Sequence, residues 1–153
     1  MIESRLQQLK IVLPSQSAPA ANYSPFVKVG SFVFISGQLP SWNGEMKYIG
    51  KIDDDLTSND GQAAAHLCAL NILAHLKVAC EEDLNRVVQC IRLGGFINST
   101  PTFQDHAKVL NGASDLMVAL FGEAGQHARA AVGVSGLPFG VSVEVEALFA
   151  VKN

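Results

Sequence analysis

The stretch that most constrains the fold is the C-terminal run from His127 to Val151, which reads as two β-strands joined by a turn. Val132 and Val134, then Val141, Val143 and Val145, alternate with small or polar residues, the period-two pattern of a half-buried strand. Gly136-Leu-Pro-Phe-Gly140 breaks the run as a loop does. Side chains two apart on a strand share a face, so Glu144 and Glu146 point one way and Val143 and Val145 the other. Arg129 stands among alanines in the first strand.

An arginine in an apolar strand has two readings. One is an ion pair with a glutamate on a strand that alternates polar outward. The other is an anion fork: a planar guanidinium takes a carboxylate two-pronged, which lysine cannot do, and a nearby glutamate could then move protons beside the held ligand. Both readings stay open on the strand alone.

The rest of the chain supplies two long helices, a short one and three more strands. Phe26–Gly30 and Ser31–Gly37 read as strands joined at Gly30, with Phe32, Phe34 and Ser36 on one face and Val33, Ile35 and Gly37 on the other. Asn43-Gly44 is a hairpin signal. A helix is expected from about Asp60 to Ala79, capped by Ser58 or Asn59, with a stripe of Leu67, Leu70, Ala74 and Val78 widened by Ile72, Leu73 and Leu76. His66 and His75 read as surface or boundary histidines of that helix. Arg86–Phe96 is the next strand, with Val88, Cys90 and Arg92 on one face, Val87, Gln89, Ile91 and Leu93 on the other, and a bulge or bend at Gly94-Gly95. A second helix follows from Phe103 to Phe121, capped by Thr102 and stopped by Gly122, with a stripe of Val109, Ala113, Leu116 and Leu120. Asn111 is a polar residue near that stripe. Residues 3–9 suit a short helix, and Ser15 to Asn22 an extended arm. The element order predicts an α+β, two-layer sandwich with both long helices on one face of a mixed sheet.

At 153 residues the chain is most simply one domain. Only 16% of residues are charged and 48% are hydrophobic, so the uncovered face of the sheet is expected to be buried in a subunit interface. The net charge is −3 and the eleven basic residues are scattered, which argues against a nucleic-acid partner. No apolar stretch approaches the roughly 20 residues of a membrane span. The N-terminus lacks the basic start and apolar core of a secretory signal, and the three cysteines are widely spaced, which suggests buried thiols in a reducing cytoplasm. The Asp53-Asp54-Asp55 run lacks the spacing of a calcium loop and reads as solvated, so no metal is assigned.

G-x-S-x-G, Walker A, G-x-G-x-x-G and H-E-x-x-H patterns are all missing. What stands out is Ser36-Gly-Gln-Leu-Pro40, then Arg129 in Ala-Arg-Ala-Ala-Val, then Leu137-Pro, then Val143-Glu-Val-Glu-Ala147. In that order and spacing the chain resembles the RidA (YjgF) reactive-intermediate deaminase family, also called the endoribonuclease L-PSP family, from about Ala18 to Val151. The resemblance implies a chorismate-mutase-like fold and a cofactor-free homotrimer, with clefts between subunits. Residues 1–17 would be an N-terminal extension and 18–153 the domain. The catalytic residues would be Arg129, holding the ligand carboxylate, and Glu144, associated with the attacking water. Phe26, Gly37, Asn111 and the backbone beside Ala131 would line the cleft. The implied reaction turns 2-aminoacrylate or a related imine and water into a 2-keto acid and ammonia. Two positions depart from the family pattern: Phe26 replaces a tyrosine, removing a hydroxyl, and Ala131 replaces a frequent cysteine. The alternatives are a trimer that senses a small carboxylic acid without turnover, and an endoribonuclease, which the acidic composition disfavours.

Overall fold

The computed structural model describes residues 1–16 and 22–153. Most of the expected extended arm, and the boundary expected between residues 17 and 18, lie outside the described residues. The elements are α1 (Ile2–Gln8), β1 (Phe26–Val29), β2 (Phe32–Gln38), β3 (Ser41–Trp42), β4 (Glu45–Met46), α2 (Ser58–Ala79), β5 (Val87–Asn98), α3 (His106–Phe121), β6 (Ala128–Val134) and β7 (Val143–Val151). Five strands form one sheet in the order β1-β2-β7-β5-β6. Its pairs are antiparallel except β5 with β6. A parallel pair needs a crossover, and α3 is that crossover.

Both long helices lie on one face, as the order of periodicities predicts. Val33, Ile35, Leu93, Ile97, Val143, Val145 and Phe149 point from the sheet into a core with Ile72, Leu76, Leu110 and Met117. Alternation puts the opposite side chains on an uncovered face. There Phe32 and Phe34 are 45% and 48% exposed, beside exposed Val27, Val29 and Val132. An Arg92–Glu146 ion pair of 3.1 Å sits on the same face. The hairpin at Asn43-Gly44 forms as expected, with both residues at positive φ (51° and 89°), which the twist of a two-residue hairpin requires.

Six expectations are corrected. Helix α2 is capped one residue earlier than expected: Thr57 accepts from the Asp60 N–H, and the Asp60 carboxylate accepts from the Thr57 N–H, a reciprocal capping box. Its core face is set by Cys68, Ala69, Ile72, Leu73 and Leu76, all fully buried, whereas Val78 is 45% exposed. His75 of this helix is buried, with Nδ1 lacking a partner, and is no surface residue.

In β5, register shifts between Val87 and Gln89 and between Cys90 and Arg92 break the simple alternation, so Cys90 and Leu93 are both buried. Gly94 and Gly95 make neither bulge nor bend. They pair in register with β6 and β7, and a Cβ on Gly95 would press Leu110 at 2.8 Å. Helix α3 begins at His106, because Thr100–Phe103 closes a separate turn first. It ends where Gly122 takes a φ of 64°.

Helix α1 belongs to the same body. Leu6 is buried, Arg5 Nε donates to the Ala119 carbonyl (2.9 Å), and the Ile2 N–H donates to Asn85 Oδ1 (2.8 Å).

Candidate functional site

Strand β6 is an edge, and its Arg129 is in register with Leu93, which points into the core. Arg129, Ala131 and Gly133 therefore face α3. The guanidinium is held there by two neutral acceptors. Nη1 donates to Ser114 Oγ at 3.0 Å and Nη2 to the Ala107 carbonyl at 3.3 Å. Asn111 stands between Ala107 and Ser114 on the same side of α3, at four-and-three spacing. Neither Glu144 nor Glu146 touches the guanidinium; Glu146 pairs with Arg92 instead. Arg129 forms no ion pair among the described residues. Two of its five N–H groups are used, which leaves three and an uncancelled charge for an outside anion.

Ser114 is itself held. Its Oγ lies 2.8 Å from His127 Nε2, and His127 Nδ1 lies 2.6 Å from the Gly125 carbonyl. A carbonyl only accepts, so Nδ1 carries the proton and Nε2 accepts from the serine hydroxyl. The sequence reading missed both residues. Their only linear signals are that Ser114 follows Asn111 by three and that His127 precedes Arg129 by two.

Glu144 and Gly37 form a second cluster. A Cβ on Gly37 would overlap Glu144 Oε2, so the carboxyl lies against a bare Cα. Burial, and then the neighbouring Glu146, push the Glu144 carboxyl above the usual carboxylate range. Phe26 opens β1 opposite Ile35 and packs half-buried against the core.

One chain does not join the two clusters. Strands β2 and β6 are separated by β7 and β5, three strand spacings or about 14 Å. Glu144 alternates with buried Val143 and Val145 and so leaves the sheet on the uncovered face, opposite Arg129. The structure thus gathers Asn111, Arg129 and Ala131, and separately Gly37 and Glu144. A cavity of about 800 Å³ between α2 and α3, near Trp42, His66 and Asp115, includes none of these residues.

The family model described as "YjgF/chorismate_mutase-like, putative endoribonuclease" matches residues 3–151. The chain belongs to this family. It is 44% identical to Protein TCP17 of Trypanosoma cruzi over 99% of this chain and 95% of that protein. Among solved structures, the protein Atu1372 from Agrobacterium tumefaciens, of unknown function, superposes with a TM-score of 0.91 at 43% identity, covering 99% of this chain and 94% of that one. RidA from the Antarctic bacterium Psychrobacter superposes with a TM-score of 0.60 at 30% identity, covering 91% and 94%. The YjgF fold and family are therefore those expected from the Ser36–Pro40, Arg129 and Val143–Ala147 motifs. Family likeness does not by itself assign a reaction.

Proposed function

We propose that the chain is a hydrolytic deaminase of small enamine and imine acids of the 2-aminoacrylate type. It would work as a homotrimer with its sites between copies. Arg129, Asn111 and the backbone at Ala131 come from one copy, and Gly37, Glu144 and Phe26 from the next. The observation that carries the reading is an arginine fork held by a hydroxyl and a carbonyl, with no carboxylate of the described residues paired with it. The exposed Val27, Val29, Phe32, Phe34 and Val132 support assembly through the uncovered face.

In this reading Arg129 takes the ligand carboxylate. The terminal carbon of the enamine gains a proton from solvent, giving the protonated imine (iminium). Water adds to the iminium carbon while the C=N electron pair goes to nitrogen and Glu144 receives the water proton, which later returns to solvent. The resulting carbinolamine breaks its C–N bond, releasing ammonia and the 2-keto acid. A carboxyl with a raised pKa suits such proton transfer near neutrality. No electrons enter or leave, so the step needs no redox partner.

The test is to generate 2-aminoacrylate in situ and follow its decay. The wild-type protein accelerates it and Arg129→Ala does not; equal rates for the two would sink the assignment. A second reading, acid binding without turnover, is favoured by Phe26, whose phenyl ring offers the cleft no hydroxyl. Calorimetric binding of a keto acid with no acceleration of decay selects it. Ribonuclease activity, which the family description names, has no basic stripe to serve it: the net charge is −3.

A further inference from the structure

We propose that Ser114 and His127 are positioning residues of the acid site, and that their hydrogen-bond chain holds Arg129 in the orientation that receives a carboxylate. This rests on the reading of Arg129 as the anion fork and adds what makes that fork competent.

The chain of contacts begins at a fixed point. Gly125 is buried, and a Cβ there would overlap the Met117 carbonyl, so this backbone is pressed onto the last turn of α3. Its own carbonyl accepts from His127 Nδ1. That bond sets the tautomer and leaves Nε2 as an acceptor. Nε2 in turn takes the Ser114 hydroxyl proton. With its proton committed to His127, the serine turns a lone pair to Arg129 Nη1. A helical serine without such a partner donates to the carbonyl four residues back, here Leu110, which swings the lone pairs away.

The choice of anchors matters. A glutamate would hold Arg129 as firmly but would cancel its charge. A hydroxyl and a carbonyl hold it and leave the full charge for the ligand. A pre-oriented guanidinium loses less freedom when the ligand arrives, so the anchors add affinity without touching the ligand.

The experiment measures 2-ketobutyrate binding by calorimetry on the full chain. Ser114→Ala and His127→Leu should each raise Kd about tenfold, the loss expected for one hydrogen bond to a charged group. His127→Gln, whose amide oxygen can accept from Ser114, should restore most of the affinity. With 2-aminoacrylate the loss should appear in KM, with kcat near the wild-type value.

If wild type binds, Arg129→Ala does not, and Ser114→Ala and His127→Leu bind like wild type, the inference is overturned and the acid-fork reading stands. If wild type and Arg129→Ala are indistinguishable, the reading falls and the inference with it. A long-range proton–nitrogen NMR spectrum of the wild-type protein needs no variant to fold. It should show neutral His127 protonated at Nδ1, with the ring nitrogens shifting on addition of 2-ketobutyrate. Protonation at Nε2 overturns the proposal.

Discussion

Gly112→Ala is expected to destabilise the protein, although the same change in an ordinary helix stabilises it. Gly112 lies inside α3, where alanine should gain about 1 kcal/mol in helix propensity. Here, however, a Cβ would overlap the backbone carbonyl of Gln62 on α2. A flexible side chain could swing aside, but a helical carbonyl cannot. The two helices must part, which loosens the shared core and stretches the bond from Gln62 Nε2 to the Lys108 carbonyl (2.8 Å). Overpacking of this kind costs about 3 kcal/mol at the upper end of its usual range. The net loss is then about 2 kcal/mol, or a fall in Tm of about 4–8 °C for a domain of this size. Because α3 also carries Ala107, Asn111 and Ser114, affinity for a keto acid should fall with it. Thermal melts read the first effect and calorimetry the second. A Tm equal to or above wild type would show that propensity wins and that the helix contact is looser than the structure makes it.

Two pH effects and one chemical one follow from buried groups. Burial lowers the pKa of His75 below its ordinary 6.5, so the unfolded chain binds the extra proton first, and stability should fall as pH drops below about 6.5. Melts at pH 7.5 and 5.5 should show a shallower acid loss for His75→Gln than for wild type; parallel slopes would count against a buried neutral imidazole. Glu144 has the opposite sign. Its raised pKa means that the folded chain holds the proton more tightly, so stability falls as pH rises from the ordinary carboxylate range to the raised value. Glu144→Gln should therefore melt above wild type at pH 7, with the gap closing on acidification; a constant gap, or a lower Tm for the variant, contradicts the account. Cys68, Cys80 and Cys90 are all free and buried, and burial pushes the Cys90 thiol up to about 12. A thiol-reactive chromophore should report almost no reaction in the native protein and three thiols in denaturant, and rapid native labelling would refute that burial.

What could be read from the sequence was what is written locally. The Asn43-Gly44 hairpin, the α3 stripe ending at Gly122 and the alternation of β7 each rest on residues a few positions apart, and each is present. The face of α2 was not legible, because a helix apolar on most sides carries no stripe to read. The bulges of β5 depend on its partners in the sheet, not on its own pattern. In the site, Arg129 and Glu144 were visible as charges in apolar strands. Ser114 and His127 were not, since thirteen positions and a change of element separate two groups that meet only in the fold.

The opposite facing of Arg129 and Glu144 has a consequence for mixtures. In a closed ring built as proposed, each site draws its cation and its carboxylate from different copies. Arg129→Ala and Glu144→Gln chains, each inactive alone, should complement one another once unfolded and refolded together. Random mixing in equal amounts would rebuild roughly a quarter of the sites in such a ring. A protein that kept both groups in one chain could never recover activity this way.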